Sequence, residues 1–134
     1  MNDYKIYFSR PVFPTPDIER TAGYYSDVLG FRVVSFLDAK EPHICLYRDF
    51  IEIILTKSNS SIVHPNRELY GYGYDAYCIT DDQESLQSEF SANGANIVKP
   101  LSKVDYHYAE FVVEDIDGRW IGFGKKGDGI PTVK

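Results

Sequence analysis

Residues 15–34 and 79–98 are two versions of one segment, and a chain built on such a duplication is constrained to two like modules around a shared core. A shift of 64 sets Asp17 on Asp81, Thr21 on Ser85, Gly30 on Gly94, Val33 on Ile97 and Val34 on Val98. Each copy, with the residues just before it, reads as strand, capped helix, glycine and strand. A hairpin follows each one, around Arg48-Asp49 in the first half and around Asp115-Ile116-Asp117-Gly118 in the second. The period is too long for a solenoid and fits a single duplication. Paired modules enclose a cleft, so the functional site is expected between the halves.

Residues 5–13 read as the first strand, bounded by Pro14. Thr15-Pro16-Asp17 then has the order of a helix start, with a hydroxyl cap, proline at the first helical position and an acid near the positive end of the dipole. Ile18, Ala22, Tyr25 and Leu29 fall on one helical face, and Gly30 ends the helix. Residues 31–37, 43–47 and 50–56 read as three strands. The polar stretch around 58–69 is expected to link the modules. In the second copy, residues 72–79 read as a strand, and Asp81 with Glu84 resembles a capping box for a helix carrying Leu86 and Phe90. Residues 95–98, 108–113 and 119–124 complete the strands. The expected organisation is one domain over 1–134: module one about 1–57, linker about 58–69, module two about 70–126 and a tail at 127–134. Its class is α+β, with two βαβββ modules in tandem forming a curled mixed sheet around an open cavity.

The chain of 134 residues is 43% hydrophobic and 25% charged, which is globular composition. No apolar run approaches the roughly 18 residues of a membrane span, and Met1 to Lys5 lack a signal-peptide core, so a cytoplasmic protein is expected. Cys45 and Cys78 sit in apolar strand-like runs and read as reduced, buried thiols. A net charge of −6 argues against nucleic acid as a partner, because phosphate recognition needs clustered Lys and Arg. The same acidity favours a cationic ligand by long-range steering.

The order β-α-β-β-β twice, with Pro-Asp-Ile-Glu-Arg-Thr-Ala-Gly-Tyr-Tyr-Ser-Asp-Val-Leu-Gly-Phe at 16–31 and Asp-Ile-Asp-Gly at 115–118, resembles the glyoxalase/bleomycin-resistance/dioxygenase superfamily, also called vicinal oxygen chelate proteins. The resemblance covers nearly the whole chain. It implies sheets that curl into a deep cavity, often completed by dimerisation, but no single reaction, since members include isomerases, ring-cleaving dioxygenases, thiol transferases and binding proteins. Metal-binding members carry one ligand on the first strand and a carboxylate on the last strand of each module. Here those positions hold Arg10, Glu52, Tyr74 and Gly122, so one ligand type of four survives. Glu52 alone does not hold a divalent ion, which needs about three or four protein donors. His43, His64 and His107 show no ligand spacing, and His107 is the best candidate among them for a role in the site. Glycine at 122 is read as clearing volume for a guest to approach the backbone.

Within the family, Ser9-Arg10-Pro11-Val12, Leu46-Tyr47-Arg48-Asp49 and Glu110-Phe111 resemble the bleomycin-resistance branch, whose members sequester a bulky cationic drug. This chain has the materials. Tyr70, Tyr72 and Tyr74 alternate with Gly71 and Gly73, and in an extended strand three rings would share one face, available for core packing, a dimer contact or ligand stacking. By the same alternation Trp120, Gly122 and Gly124 share a face, and Phe50, Glu52 and Ile54 share another. Arg10 either pairs with Glu52 internally or leaves that carboxylate for a cation. Glu110 is a second candidate carboxylate. The expected ligand-binding set is therefore Arg10, Phe50, Glu52, Tyr72, Tyr74, His107, Glu110, Trp120 and Gly122, with no catalytic residue, no cofactor and no metal.

The reading is a homodimeric small-molecule binding and sequestration protein, taking a ligand that is cationic and aromatic. The alternatives are a metal-dependent lyase, isomerase or dioxygenase rebuilt around Glu52, and a dimeric interaction module with a vestigial cavity.

Overall fold

A computed structural model describes residues 3–102 and 110–126. Module one runs β1 (Val12–Thr15), α1 (Ile18–Asp27), β2 (Arg32–Phe36), β3 (His43–Arg48) and β4 (Ile51–Lys57), with sheet order β1-β4-β3-β2. β1 lies parallel to β4, while β3 is antiparallel to both β4 and β2. The helix starts later than the proline signal suggests. Asp17, not Thr15, is the N-cap, and its Oδ1 accepts from Arg20 N at 3.1 Å. Thr15 instead ends β1, fully buried, with its hydroxyl used elsewhere. Ile18, Ala22, Tyr25 and Leu29 do form the buried face. Gly30 adopts φ +75°, and a Cβ there would lie 2.9 Å from Arg48 Nη1, so glycine supplies both the turn and the room for that guanidinium.

A short helix, α2 (Asn66–Tyr70), occupies the end of the stretch expected to be a linker. Module two follows as β5 (Ala76–Thr80), α3 (Gln83–Ala92), β6 (Asn96–Lys99), β7 (Glu110–Glu114) and β8 (Trp120–Lys125), in the order β5-β8-β7-β6. Asp82, not Asp81, caps α3, accepting from Ser85 N at 3.0 Å. The modules therefore superpose with a shift of 65 through strand and helix, as Thr15 and Thr80 confirm by accepting from Ser58 N and Lys126 N. Two residues separate α1 from Gly30 and one separates α3 from Gly94, which restores the shift of 64 seen after the glycines.

The strand expected from residue 72 begins only at Ala76. Gly71 and Gly73 take φ of +89° and +113°, so Tyr70, Tyr72 and Tyr74 do not lie along one strand face. The first strand is also shorter than expected. Residues 3–11 form an arm outside regular structure, with Tyr4, Ile6, Tyr7 and Phe8 exposed.

Both modules turn their helix-facing sides into one hydrophobic core. Ile53 and Leu55 of β4 and Ile121 and Phe123 of β8 alternate inward, as the period of two requires. Phe90, Phe111 and Phe123 pack as a triad with ring centroids 4.9–6.1 Å apart. Each such buried side chain contributes about 1.5–3 kcal/mol.

The loop 115–119 then locks module two onto α1. Tyr25 donates to Asp115 Oδ2 at 2.7 Å, Thr15 and Thr21 donate to Asp117 Oδ2 at 3.0 and 2.5 Å, and Arg119 pairs with Asp115 and Asp117 at 3.2 and 3.1 Å. Arg119 also donates to Pro14 O. On the other side Arg48 makes a bidentate pair with Glu89 of α3 at 2.6 and 2.9 Å. Among the described residues no helix is long and apolar enough to cross a membrane.

Candidate functional site

With the core on one side, each sheet presents its opposite face outward. On module two that face is aromatic. Trp120, Gly122 and Gly124 share it on β8, opposite Glu114, Val112 and Glu110 of β7. The glycines do not leave an empty floor: the ring of Tyr77 from β5 lies on them, and a Cβ at Gly122 would come within 2.7 Å of it. Tyr74 packs beside Tyr77, centroids 5.7 Å apart. Tyr74 donates its hydroxyl to Glu110 Oε2, Tyr77 reaches Glu110 Oε1 at 3.5 Å, and Lys99 Nζ lies 3.8 Å from the same carboxylate. Burial, then the Glu110 hydrogen bond and charge, push the Tyr74 phenol up to about 12. It is a hydrogen-bond donor at neutral pH and not a base.

A groove of about 430 Å³ runs from this face along Arg67, Tyr72, Tyr74 and Trp120. Trp120 Nε1 donates to Glu114 Oε1 at 3.1 Å. The Arg67 guanidinium from α2 stacks on the Trp120 ring, 4.3 Å from its centroid, while donating to Glu114 Oε1 at 3.1 Å and Gly118 O at 2.6 Å. The tryptophan therefore already carries a cation on one face. Tyr72 lines the groove but is exposed.

On module one, Glu52 faces outward beside Tyr47, and Arg10 Nε closes on Glu52 Oε1 at 2.5 Å. Of the two readings of Arg10, internal pairing is the one observed. Its guanidinium also lies 4.5 Å from the Phe8 ring centroid. Phe50 does not join Glu52: it sits in the turn after Arg48, where alternation no longer applies, and is fully exposed at a different cavity. Among the described residues no hydrogen bond, ion pair or ring contact joins Arg10 or Glu52 to Tyr74 or Trp120. In the sheet ladders Ile54 pairs with Val12, and Gly122 with Tyr77. Arg10 and Tyr74 are thus not equivalent positions, because the true shift there is 65. His107 lies outside the described residues.

Three participants escape the sequence reading. Tyr77 has the opposite parity to Tyr70, Tyr72 and Tyr74, and only the positive-φ glycines bring Tyr74 alongside it. Arg67 comes from a helix inside the expected linker. Lys99 reaches Glu110 after a bulge in β6.

The donor chemistry does not suit the metal of the chelating relatives. Glu52 is consumed by Arg10, Gly122 offers no donor and is covered by Tyr77, and the described residues contain no group of three His, Cys, Asp or Glu placed to share an ion.

Tandem βαβββ modules, each a four-stranded sheet with one helix, packed on one shared core define the class of fold. Residues 8–123 match the family model for the Glyoxalase/Bleomycin resistance protein/Dioxygenase superfamily, and the chain belongs to that superfamily. Its fold is shared by TioX from Micromonospora sp. ML1 (18% identity, TM-score 0.67, covering 87% of this chain and 95% of that one). It is shared also by TnmS3, an antibiotic binding protein from Streptomyces sp. CB03234 (13%, 0.66, 92% and 98%), and a glyoxalase-related enzyme from Clostridium phytofermentans (15%, 0.71, 93% and 98%). Comparison with curated protein sequences returned no match.

Proposed function

We propose that this protein binds and sequesters a flat aromatic small molecule without a metal ion, in the manner of the bleomycin-resistance branch. The observation that carries the reading is the Tyr77 ring seated on Gly122 and Gly124, which lays an aromatic surface over the outward face of β8. Tyr74 and Trp120 extend that surface. The fold of an antibiotic binding protein is compatible with it. The charges refine the ligand. Glu52, Glu110 and Glu114 each have an internal cation, in Arg10, Lys99 and Arg67, so a cationic ligand competes with these side chains, whereas a neutral aromatic needs only stacking area.

The protein acts as a homodimer in this reading. Val12 and Phe36 on one outward face and Tyr77 and Ile79 of β5 are exposed in the single chain, and the arm adds Tyr4, Ile6, Tyr7 and Phe8. These apolar side chains offer a surface that a second copy of the chain would cover. Titration of Trp120 fluorescence with a panel of planar aromatics, charged and neutral, tests the binding function. Saturable quenching is expected. Stoichiometric Zn, Mn, Ni or Fe in untagged protein, lost in Glu52→Gln, would sink the metal-free reading, and a dimer that binds nothing in the panel would leave a vestigial cavity instead.

A further inference from the structure

The two junctions between hairpin and helix are built alike but filled differently. At the first, Thr15, Thr21 and Tyr25 are capped by Asp115, Asp117 and Arg119, whose side chains are buried. A shift of 65 maps Thr15, Thr21 and Tyr25 onto Thr80, Leu86 and Phe90 at the second junction. The pair closing each hairpin is Asp115 with Arg119 in module two and Arg48 with Ile51 in module one, leaving residues 116–118 in one turn and only 49–50 in the other. The shorter turn has no counterpart of Asp117 to reach Thr80. A cavity of about 320 Å³ remains there, at the lower end of the range for small-ligand sites.

Its floor is apolar, made by Phe31, Ile51, Cys78, Leu86, Phe90 and Phe123. Its rim is acidic. Arg48 and Glu89 satisfy each other, and Asp82 is committed to capping Ser85. Asp49 approaches Arg48 only at 3.9 Å with its carboxylate 82% exposed, and Asp81 has no hydrogen bond or ion pair among the described residues. With Arg48 the one cation among the lining residues against Asp49, Asp81, Asp82 and Glu89, the mouth of this apolar cavity carries net negative charge.

We propose that this cavity is a second binding site, separate from the aromatic sheet face, for a small protonated amine bearing an apolar ring. The ring occupies the volume that the Asp117 and Arg119 side chains fill at the other junction, and the ammonium sits between Asp49 and Asp81. Cys78, in the floor, supplies a local reporter. The test uses 2-phenylethylamine as the probe and 2-phenylethanol as its neutral counterpart, following alkylation of Cys78 by peptide mass spectrometry. The amine is expected to slow Cys78 alkylation, with the alcohol about tenfold weaker and the Asp49→Asn/Asp81→Asn variant about tenfold weaker for the amine at low salt. Leu86→Phe should fill the cavity and abolish protection. The paired Asp variant is confined to the surface and decides the matter even if Leu86→Phe fails to fold. Unchanged Cys78 alkylation in saturating amine, or equal protection by amine and alcohol, overturns the proposal. Quenching of Trp120 by planar aromatics should be indifferent to the amine, so failure here is distinguishable from failure of the sheet-face site.

Discussion

A phenol held against a carboxylate keeps its proton, and Tyr74 shows the consequence at the scale of one residue. Its folded value of about 12 exceeds the ordinary value near 10, so the folded state retains a proton that the unfolded chain releases. Stability from this group is intact below about pH 10 and falls as pH rises towards 12. Glu110→Gln should lower the Tyr74 value, measured by tyrosinate absorbance, but not restore it, since burial is the larger cause. Trp120→Ala and Tyr74→Ala should each weaken binding of a planar aromatic by about 1–3 kcal/mol in calorimetry, with the fold retained. Arg67→Gln should improve binding of a cationic aromatic by about 0.5–1 kcal/mol, because it removes the guanidinium that now covers Trp120. An unchanged affinity would mean that the ligand does not use that ring face.

At the scale of elements, the two hairpins hold the modules by different means. The Arg48–Glu89 pair joins the β3–β4 hairpin to α3 at a half-open surface, and the guanidinium holds the Glu89 carboxyl below its usual range. A depressed carboxyl contributes stability above its unfolded pKa and loses it as pH falls through the folded one. Glu89→Gln should therefore cost only about 0.5–1 kcal/mol near neutrality, a difference that closes on acidification in denaturant titrations. The Asp115, Asp117 and Arg119 side chains are buried, and the same logic is more severe there. Asp117→Ala leaves Arg119 without one of its two carboxylates and Thr15 and Thr21 without their acceptor, so a loss of about 3–5 kcal/mol is expected. These elements were partly legible beforehand. The glycine stops, helix faces and strand parity are written locally, whereas the caps were misplaced because Thr15 and Asp81 have the right chemistry for a cap that Asp17 and Asp82 hold.

For the whole molecule, one core drawn from both modules predicts a single unfolding transition by calorimetry and circular dichroism; two separated transitions would contradict the shared core. Removing the arm before Ser9 should shift the oligomer towards monomer in light scattering, since it strips Tyr4, Ile6, Tyr7 and Phe8 from the exposed surface. By itself the sequence determined the duplicated βαβββ order and the inward faces at Ile53, Leu55, Ile121 and Phe123, because caps, glycine stops and period-two alternation depend on neighbours along the chain. Tertiary structure alone decided that Tyr77 lies on Gly122, that Arg67 covers Trp120, that Phe50 stands apart from Glu52 and that one hairpin leaves a cavity. Each of these depends on strand register, positive-φ glycines or a one-residue difference in turn length, and such choices are settled only when distant segments pack.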